Sequence, residues 1–161
     1  MCLVIKLGKL KLTSPAFKHN GDMPKKNTCQ GENISPPLKI SGVPNNAVSL
    51  VLIMTDPDVP IPKMIFTHWV ICHLDPDTKT IAEGSKLEKA VVGRNGAFQN
   101  KYMGPCPPWG KHRYIFKLYA LDEKLPLDRK SGKKKVIKLM EDHIIEETEL
   151  IGLYEKIKEK K

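Results

Sequence analysis

Apolar and polar positions in the first 120 residues follow the pattern of a β protein, with short apolar runs separated by proline, glycine and asparagine. The runs predict strands at Leu3–Leu12, Leu38–Ser41, Ala47–Thr55, Thr67–Leu74 and Arg113–Leu121. The run Ala47–Thr55 is continuously apolar, which is typical of a strand buried on both faces. Two long segments with little periodicity, Ser14–Pro37 and Gly84–Lys111, are predicted to be loops.

A helical pattern appears only late in the chain. Its apolar side chains recur three and four positions apart: Val136, Ile137, Leu139, Met140 and Ile144. We therefore predict one peripheral α-helix at about 131–144, with Ser131 as its N-cap. The final stretch, Glu146–Lys161, has a helix-like composition, yet its segment Thr148–Tyr154 contains a glycine and also fits a closing strand.

Length and composition favour a single folded unit. With 161 residues, 40% of them hydrophobic and 28% charged, the chain is expected to form one domain over residues 1–161. No apolar run approaches the roughly 20 residues that span a bilayer. The N-terminal sequence lacks the apolar block and cleavage site of a signal peptide, so we expect a cytoplasmic protein.

The formal charge of +9 raises the question of nucleic-acid binding. The lysines cluster in a late segment and in the tail: Lys130, Lys133, Lys134, Lys135 and Lys138, then Lys156, Lys158, Lys160 and Lys161. Neither cluster is interleaved with aromatic residues, and no nucleic-acid-binding motif is present, so no nucleic-acid partner is expected. A solvated face and a polar tail explain these charges, with weak attraction to anionic surfaces as the alternative.

The four cysteines, Cys2, Cys29, Cys72 and Cys106, contain no CxxC pair, which argues against a structural zinc site. Cytosolic cysteines are usually reduced, so free thiols are expected. Thermophilic archaea are the exception to that rule, and the Lys/Glu-rich composition is compatible with such a source.

Polar groups of the kind that form sites are concentrated in three segments. Asp56 and Asp58 follow the most apolar strand and alternate with prolines, which restrict the backbone. His68 begins the next strand, and a proline-rich loop leads into His112 and Tyr114. If the strand ends are adjacent, these five side chains converge. Taken singly, each has a structural explanation: a turn for the aspartates, a core position for His68 and a passive connector for the loop.

The sequence offers little for catalysis. No serine or cysteine lies in a nucleophile-elbow context, and the glycines form neither a dinucleotide-binding nor a phosphate-loop motif. Asp56 and Asp58 lack the glycine and glutamate of a calcium-binding loop, whereas zinc bound by two histidines and an aspartate is chemically possible. We therefore expect a non-enzymatic protein with no catalytic residues, no cofactor and no metal.

Four segments together resemble the phosphatidylethanolamine-binding protein family, also called Raf kinase inhibitor-like proteins. Three of them are TDPDVP, THWVICHL and GPCPPWGKHRYIFKLYALD. The fourth, GENISPPLKISGVP (Gly31–Pro44), resembles the bacterial and archaeal branch. The resemblance covers about Ser14 to Tyr154. It implies a mainly β fold of two antiparallel sheets with Greek-key topology plus peripheral helices, and it makes Thr148–Tyr154 a strand.

The resemblance also implies a ligand pocket. The family's pocket residues correspond to Asp56, Asp58, Pro60, His68, Pro107, Pro108, His112 and Tyr114. A wall position that is often tryptophan in the family is Phe66 here. By resemblance, the Val59–Pro60 peptide bond is expected to be cis, with both aspartates facing the pocket.

Family pockets accept phosphate-like and carboxylate anions, so the resemblance implies a binding or regulatory protein for a small anionic or phosphorylated ligand. Two histidines able to carry positive charge agree with that expectation. Arg113 follows His112 in a strand, so it should face the opposite side and brace the loop. The alternative is an inhibitor of a serine protease or a kinase that acts through an exposed rigid loop, Gly104–Lys111. A homodimer is a further expectation, since microbial members are often dimeric.

Overall fold

The computed structural model describes residues 8–158, and strands dominate this range. The strands are β1 (Lys11–Thr13), β2 (Gly21–Asp22), β3 (Leu38–Ser41), β4 (Ser49–Asp56), β5 (Phe66–Leu74), β6 (Thr80–Ile81), β7 (Val91–Val92), β8 (His112–Leu121) and β9 (Ile144–Tyr154). One α-helix, α1 (Lys133–Met140), and a 3₁₀ turn at Lys25–Asn27 complete the regular structure of the described range. The predicted mainly β class is confirmed.

Six strands form the central sheet in the order β2-β9-β8-β4-β5-β7, and three form a second sheet in the order β1-β3-β6. β5 pairs with one edge of β4, and β8 pairs with the other edge. The connection from β5 to β8 therefore crosses over β4, the middle strand. Within residues 8–158, the strand pairings are antiparallel except for β2 with β9, which are parallel over two residue pairs. The expected pair of antiparallel sheets is therefore observed, with this one short parallel pairing at the edge of the central sheet.

The middle strand β4 is buried on both faces because a different layer covers each face. One set of side chains packs with the three-stranded sheet: Leu50, Leu52 and Met54 with Leu38 and Ile40. The alternate set packs with α1 and the segment before it: Val51 and Ile53 with Leu125, Leu127, Val136 and Met140. Apolar positions on both faces explain why the sequence of this strand shows no alternation.

The helix is shorter than predicted. It begins at Lys133 with Gly132 as N-cap, has no side-chain cap, and ends at Met140. The expected N-cap, Ser131, is wrong, because its buried hydroxyl accepts a hydrogen bond from the backbone N–H of Asp128 at 3.0 Å instead. No helix in the described part of the chain is long and apolar enough to cross a bilayer.

The remaining predicted elements lie near the two ends of the described residues. At the late end, β9 runs through Tyr154, so the interpretation of Thr148–Tyr154 as a strand is confirmed. At the early end, part of the predicted strand Leu3–Leu12 lies outside the described residues, and β1 is observed where that prediction ends. The predicted loop Ser14–Pro37 contains the short strand β2 and the 3₁₀ turn.

Cys29 and Cys106 form a disulfide bond, which corrects the expectation of free thiols for this pair. The two residues are 77 positions apart, so their spacing carries no sign of the pairing. Their loops are adjacent in space, where the N–H of Cys29 donates to the carbonyl of Pro105 at 3.1 Å. Cys72 is a free, buried thiol, and Cys2 lies outside the described residues.

Replacing both bridged cysteines with serine is expected to destabilise the fold by about 3–5 kcal/mol, because a cross-link over a long loop removes entropy from the unfolded chain. Urea denaturation of the wild type and of the Cys29→Ser/Cys106→Ser variant measures the difference. A reductant should lower the midpoint of the wild type and leave that of the variant unchanged. Equal midpoints for the two proteins would contradict a stabilising bond.

Candidate functional site

The register of the central strands brings the predicted polar segments to one end of the sheet. Asp56, the last residue of β4, pairs with Phe66, the first residue of β5. β8 also runs antiparallel to β4, so its first residues lie at the same end. His68 and His112 therefore flank the end of the middle strand.

A cavity of about 260 Å³, called the histidine cavity below, opens at this end of the sheet. Among its lining residues are Asp56, His68, Pro107, Pro108, His112 and Tyr114, all predicted by resemblance. The others are Val59, Phe66, Met103, Gly104 and Cys106. A few polar side chains set among apolar ones are typical of small-molecule sites.

Asp56 holds His112 in one orientation. Asp56 is 3% exposed, and its carboxylate accepts a hydrogen bond from Nδ1 of His112 at 2.7 Å. Its other oxygen accepts the backbone N–H of Asp58 at 2.7 Å, which closes the turn after β4. Since Nδ1 donates to Asp56, Nε2 of His112 is the ring nitrogen left for a ligand, and it has no hydrogen-bond partner among residues 8–158.

A backbone carbonyl fixes the second imidazole. Nδ1 of His68 lies 2.6 Å from the carbonyl oxygen of Met103 and must donate to it, because a carbonyl oxygen only accepts. Burial lowers the pKa of His68 from its ordinary value of 6.5, although the bond to Met103 and the charge of Asp56 act in the opposite direction. Desolvation therefore outweighs the nearby negative charge in setting the pKa of His68.

The hydroxyl of Tyr114 is buried without a hydrogen-bond partner in the described structure. The ring centroid of Tyr114 lies 5.3 Å from that of His68 and 6.4 Å from that of His112. Burial and the charge of Asp56 raise the pKa of Tyr114 well above its ordinary value of 10, so the hydroxyl remains a donor. An unsatisfied buried hydroxyl is uncommon in native proteins, and this one lies in the wall of the histidine cavity.

Asp58 does not line the histidine cavity, which corrects one expected pocket residue. One of its carboxylate oxygens accepts the backbone N–H and the Nε–H of Arg113, each at 2.9 Å, and the other accepts Nη2 at 2.9 Å. The hydrogen bonds from Arg113 lower the pKa of Asp58. Arg113 braces the loop after β4 from outside, as alternation along β8 predicts.

Pro60 is the other expected residue that the structure does not bring into the histidine cavity, because it is exposed on the loop. The expected cis bond between Val59 and Pro60 is also wrong, since residues 8–158 contain no cis peptide bond. The turn closed by Asp56 and the ion pair between Asp58 and Arg113 direct this loop instead.

The opposite rim is a loop held by the disulfide bond. The backbone N–H of Gly104 donates to Oδ1 of Asn33 at 2.8 Å, and a Cβ atom at Gly104 would lie 2.2 Å from that oxygen. Only glycine fits there. Sequence reasoning missed Met103, Gly104 and Cys106 as lining residues, because a backbone carbonyl, a close approach and a distant disulfide leave no pattern in a single sequence.

Within residues 8–158, the histidine cavity is separate from the cluster whose ligand atoms are spaced for a metal. Each imidazole has Nδ1 engaged by the protein, which leaves one nitrogen per ring. A group spaced for a metal lies elsewhere in the described range, at Asp122, Glu123 and His143, and none of these lines the histidine cavity. Exposed acidic residues are common without an ion, so no metal is assigned to them.

Comparisons with known proteins agree with the fold. A model of the family described as phosphatidylethanolamine-binding protein matches residues 13–155. A UPF0098 protein of Methanothermobacter thermautotrophicus is 45% identical over 150 residues, which cover 90% of this chain and 98% of the relative. A UPF0098 protein of Chlamydia trachomatis is 46% identical over 151 residues, covering 91% and 99%.

Two solved structures are similar throughout. A homologue of phosphatidylethanolamine-binding protein from Chlamydia trachomatis has a TM-score of 0.89 at 44% identity, covering 94% of this chain and all of the other. E. coli YbcL, described as a member of the mammalian family, has a TM-score of 0.84 at 29% identity, covering 92% and 99%. With a family match over most of its length and relatives above 40% identity, the chain belongs to the phosphatidylethanolamine-binding protein family.

Proposed function

We propose that the protein is a non-enzymatic binding protein whose histidine cavity holds a small anion such as a phosphate group. One observation carries this proposal: three hydrogen-bonding atoms in the wall of one cavity lack a partner among residues 8–158. They are the hydroxyl of Tyr114 and the Nε2 atoms of His68 and His112. A tetrahedral anion offers several acceptor oxygens to such a set of donors once the imidazoles are protonated.

The size of the histidine cavity supports a small ligand. Its volume of about 260 Å³ is below the roughly 300–1,000 Å³ of sites for drug-sized molecules. Phe66, Pro107 and Pro108 form apolar walls around the polar atoms. The dimensions suit a phosphoryl or carboxylate group with a short organic part, and they leave no room for a long acyl chain.

Charge couples binding to protonation. The carboxylate of Asp56 lies in the wall, and neutral imidazoles do not offset its repulsion of an anion. Protonation of an imidazole supplies both a positive charge and an Nε2–H donor. An anion therefore binds best to the form of the protein that has taken up a proton on His68 or His112.

The lining residues support binding rather than group transfer. They include no serine, threonine or lysine, and the sulfur of Cys106 is engaged in the disulfide bond. The pKa of the Tyr114 hydroxyl is raised by burial, which disfavours the nucleophilic phenolate. The pair of His112 and Asp56 is the remaining group with catalytic potential, and in this proposal it positions a hydrogen-bond donor for the anion.

Anion affinity is expected to rise as the pH falls. The pKa of His68 is lowered from 6.5 in the free protein, so its protonation, and the affinity gained from it, should still increase below about pH 6.5. Sulfate is a suitable probe because it does not titrate between about pH 5 and 8, and the imidazole NMR signals of His68 and His112 report its binding. An affinity that stays constant across this range would refute the proposal.

Substituting Tyr114 separates binding from stability. Tyr114→Phe removes a buried hydroxyl that makes no hydrogen bond of good geometry, although it lies beside the carboxylate of Asp56, so the stability of the unliganded fold should change little. Sulfate affinity at about pH 5.5 should fall roughly tenfold, since a hydrogen bond to a charged group contributes about 1.5 kcal/mol or more.

Tyr102→Phe is the matched control, because the buried hydroxyl of Tyr102 donates to the carbonyl of Asn27 at 2.7 Å. This variant should lose about 0.5–1.5 kcal/mol of stability and keep its sulfate affinity. Thermal unfolding and the same NMR titration measure both quantities. If Tyr114→Phe loses stability and retains affinity, the hydroxyl is structural and does not contact the anion.

A second candidate function is inhibition of a serine protease through the loop Gly104–Lys111. The disulfide bond at Cys106 holds one end of this loop, Pro107 and Pro108 restrict its backbone, and Trp109 is 70% exposed at its tip. A rigid loop with an exposed aromatic side chain has the form needed to enter an apolar specificity pocket.

If this function is present, the protein should inhibit chymotrypsin more strongly than elastase, whose specificity pocket is small. Trp109→Ala should abolish the inhibition, whereas Phe98→Ala, at another exposed aromatic residue, should retain it. Enzyme assays with and without each protein decide the question. Unchanged chymotrypsin activity at saturating wild-type protein would exclude this function.

A further inference from the structure

The strand β5 separates the histidine cavity from a depression on the other face of the central sheet, called the rear site below. Phe66 and His68 line the histidine cavity, while Thr67, between them, points to the opposite face. The rear site is open and measures about 360 Å³. Its other lining residues belong to the loop after β7 and to the start of α1: Arg94, Asn95, Gly96, Phe98, Lys130, Gly132, Lys133 and Lys134.

Thr67 places an unpartnered polar group in the floor of the rear site. The residue is 8% exposed and lines the depression. Its hydroxyl makes no hydrogen bond to any residue between 8 and 158, although its backbone carbonyl accepts the N–H of Gly96 at 2.7 Å. A largely buried hydroxyl that faces a depression is available to a ligand.

The helix α1 begins at the edge of the rear site with free donors. It has no side-chain cap and no acidic residue in its first turn. The N–H of Val136 makes the first hydrogen bond along the helix, to the carbonyl of Gly132 at 3.1 Å. The N–H groups of Lys134 and Lys135 have no acceptor in the described structure. Free N–H groups and the positive end of the helix dipole favour a bound anion.

The side chains around these donors are cationic. Arg94, Lys130, Lys133 and Lys134 line the rear site, and no acidic side chain does. Burial, followed by the positive charge of Lys117, lowers the pKa of Lys133. Lysines at the positive end of a helix dipole repel it, so this arrangement does not stabilise the helix by itself. A dianion would relieve the repulsion.

An aromatic ring stands at the rim. Phe98 is 79% exposed and has φ 60°, in the left-handed region that bulky residues seldom adopt. The buried Asn95 maintains this conformation, because its Oδ1 accepts the N–H groups of Ala97 at 2.9 Å and Gln99 at 3.1 Å. The loop therefore presents a flat apolar surface beside the cationic groups.

We propose that the rear site binds the phosphoryl group of a phosphate monoester. The hydroxyl of Thr67 and the N–H groups of Lys134 and Lys135 donate to its oxygens, and the surrounding lysines and Arg94 neutralise its charge. The ring of Phe98 contacts the organic part of the ligand. This site is separate from the histidine cavity, and no histidine lines it.

Amide NMR of the full chain at about pH 8, titrated with inorganic phosphate, glycerol phosphate and adenosine monophosphate, tests the proposal. All three ligands should shift the signals of Lys134 and Lys135 saturably, and the nucleotide, with its flat base, should also shift that of Phe98. Shifts confined to residues of the histidine cavity would overturn the proposal.

Variants locate the contacts. Thr67→Val should weaken phosphate binding about tenfold and Lys134→Met about two- to fivefold. Lys138→Met is the control, since it removes the same charge from the same helix at an exposed position outside the rear site. If Lys134→Met and Lys138→Met lose phosphate affinity equally, the binding reflects general charge attraction, and the proposal of a defined site is overturned. His112→Gln should leave the Lys134 and Lys135 shifts intact, and their loss in that variant would also overturn the proposal of a separate site.

Discussion

The register of β4 against its two neighbours is the constraint on which the rest of the structure depends. β4 is paired on both edges and covered on both faces, so its position in the core is fixed by apolar packing. Antiparallel pairing then places the end of β4 next to the beginnings of β5 and β8. A slip of one residue would turn His68 away from the cavity and bring Thr67 into it.

The sequence predicts the central part of this arrangement well. Continuous or alternating apolar runs mark β4, β5 and β8 within one or two residues, and four motifs in order indicate the family. The convergence of Asp56, His68, His112 and Tyr114 follows from those strands, since polar residues at strand ends meet at one edge of the sheet.

The features that escaped prediction depend on contacts between distant segments. The pairing of Cys29 with Cys106 and the bond from His68 to Met103 join positions far apart in the chain. Alternation along β8 predicts that Arg113 braces the loop, but it does not reveal that the three hydrogen bonds from Arg113 turn Asp58 outward. The pKa of His68 depends on how completely it is buried, and burial is a property of the folded molecule.

The disulfide bond at the rim has a consequence for ligand selection. Cys106 lines the histidine cavity and is tied to a loop 77 residues earlier in the chain. The rim is thus preorganised, and the entropy of ordering it is lost during folding rather than on ligand binding. A preorganised rim cannot widen for a larger ligand, so under the proposed function the cavity would select ligands by shape as well as by charge. Reduction of the disulfide bond would allow the rim loop to move and admit larger ligands, while the imidazoles would stay in place on their strands.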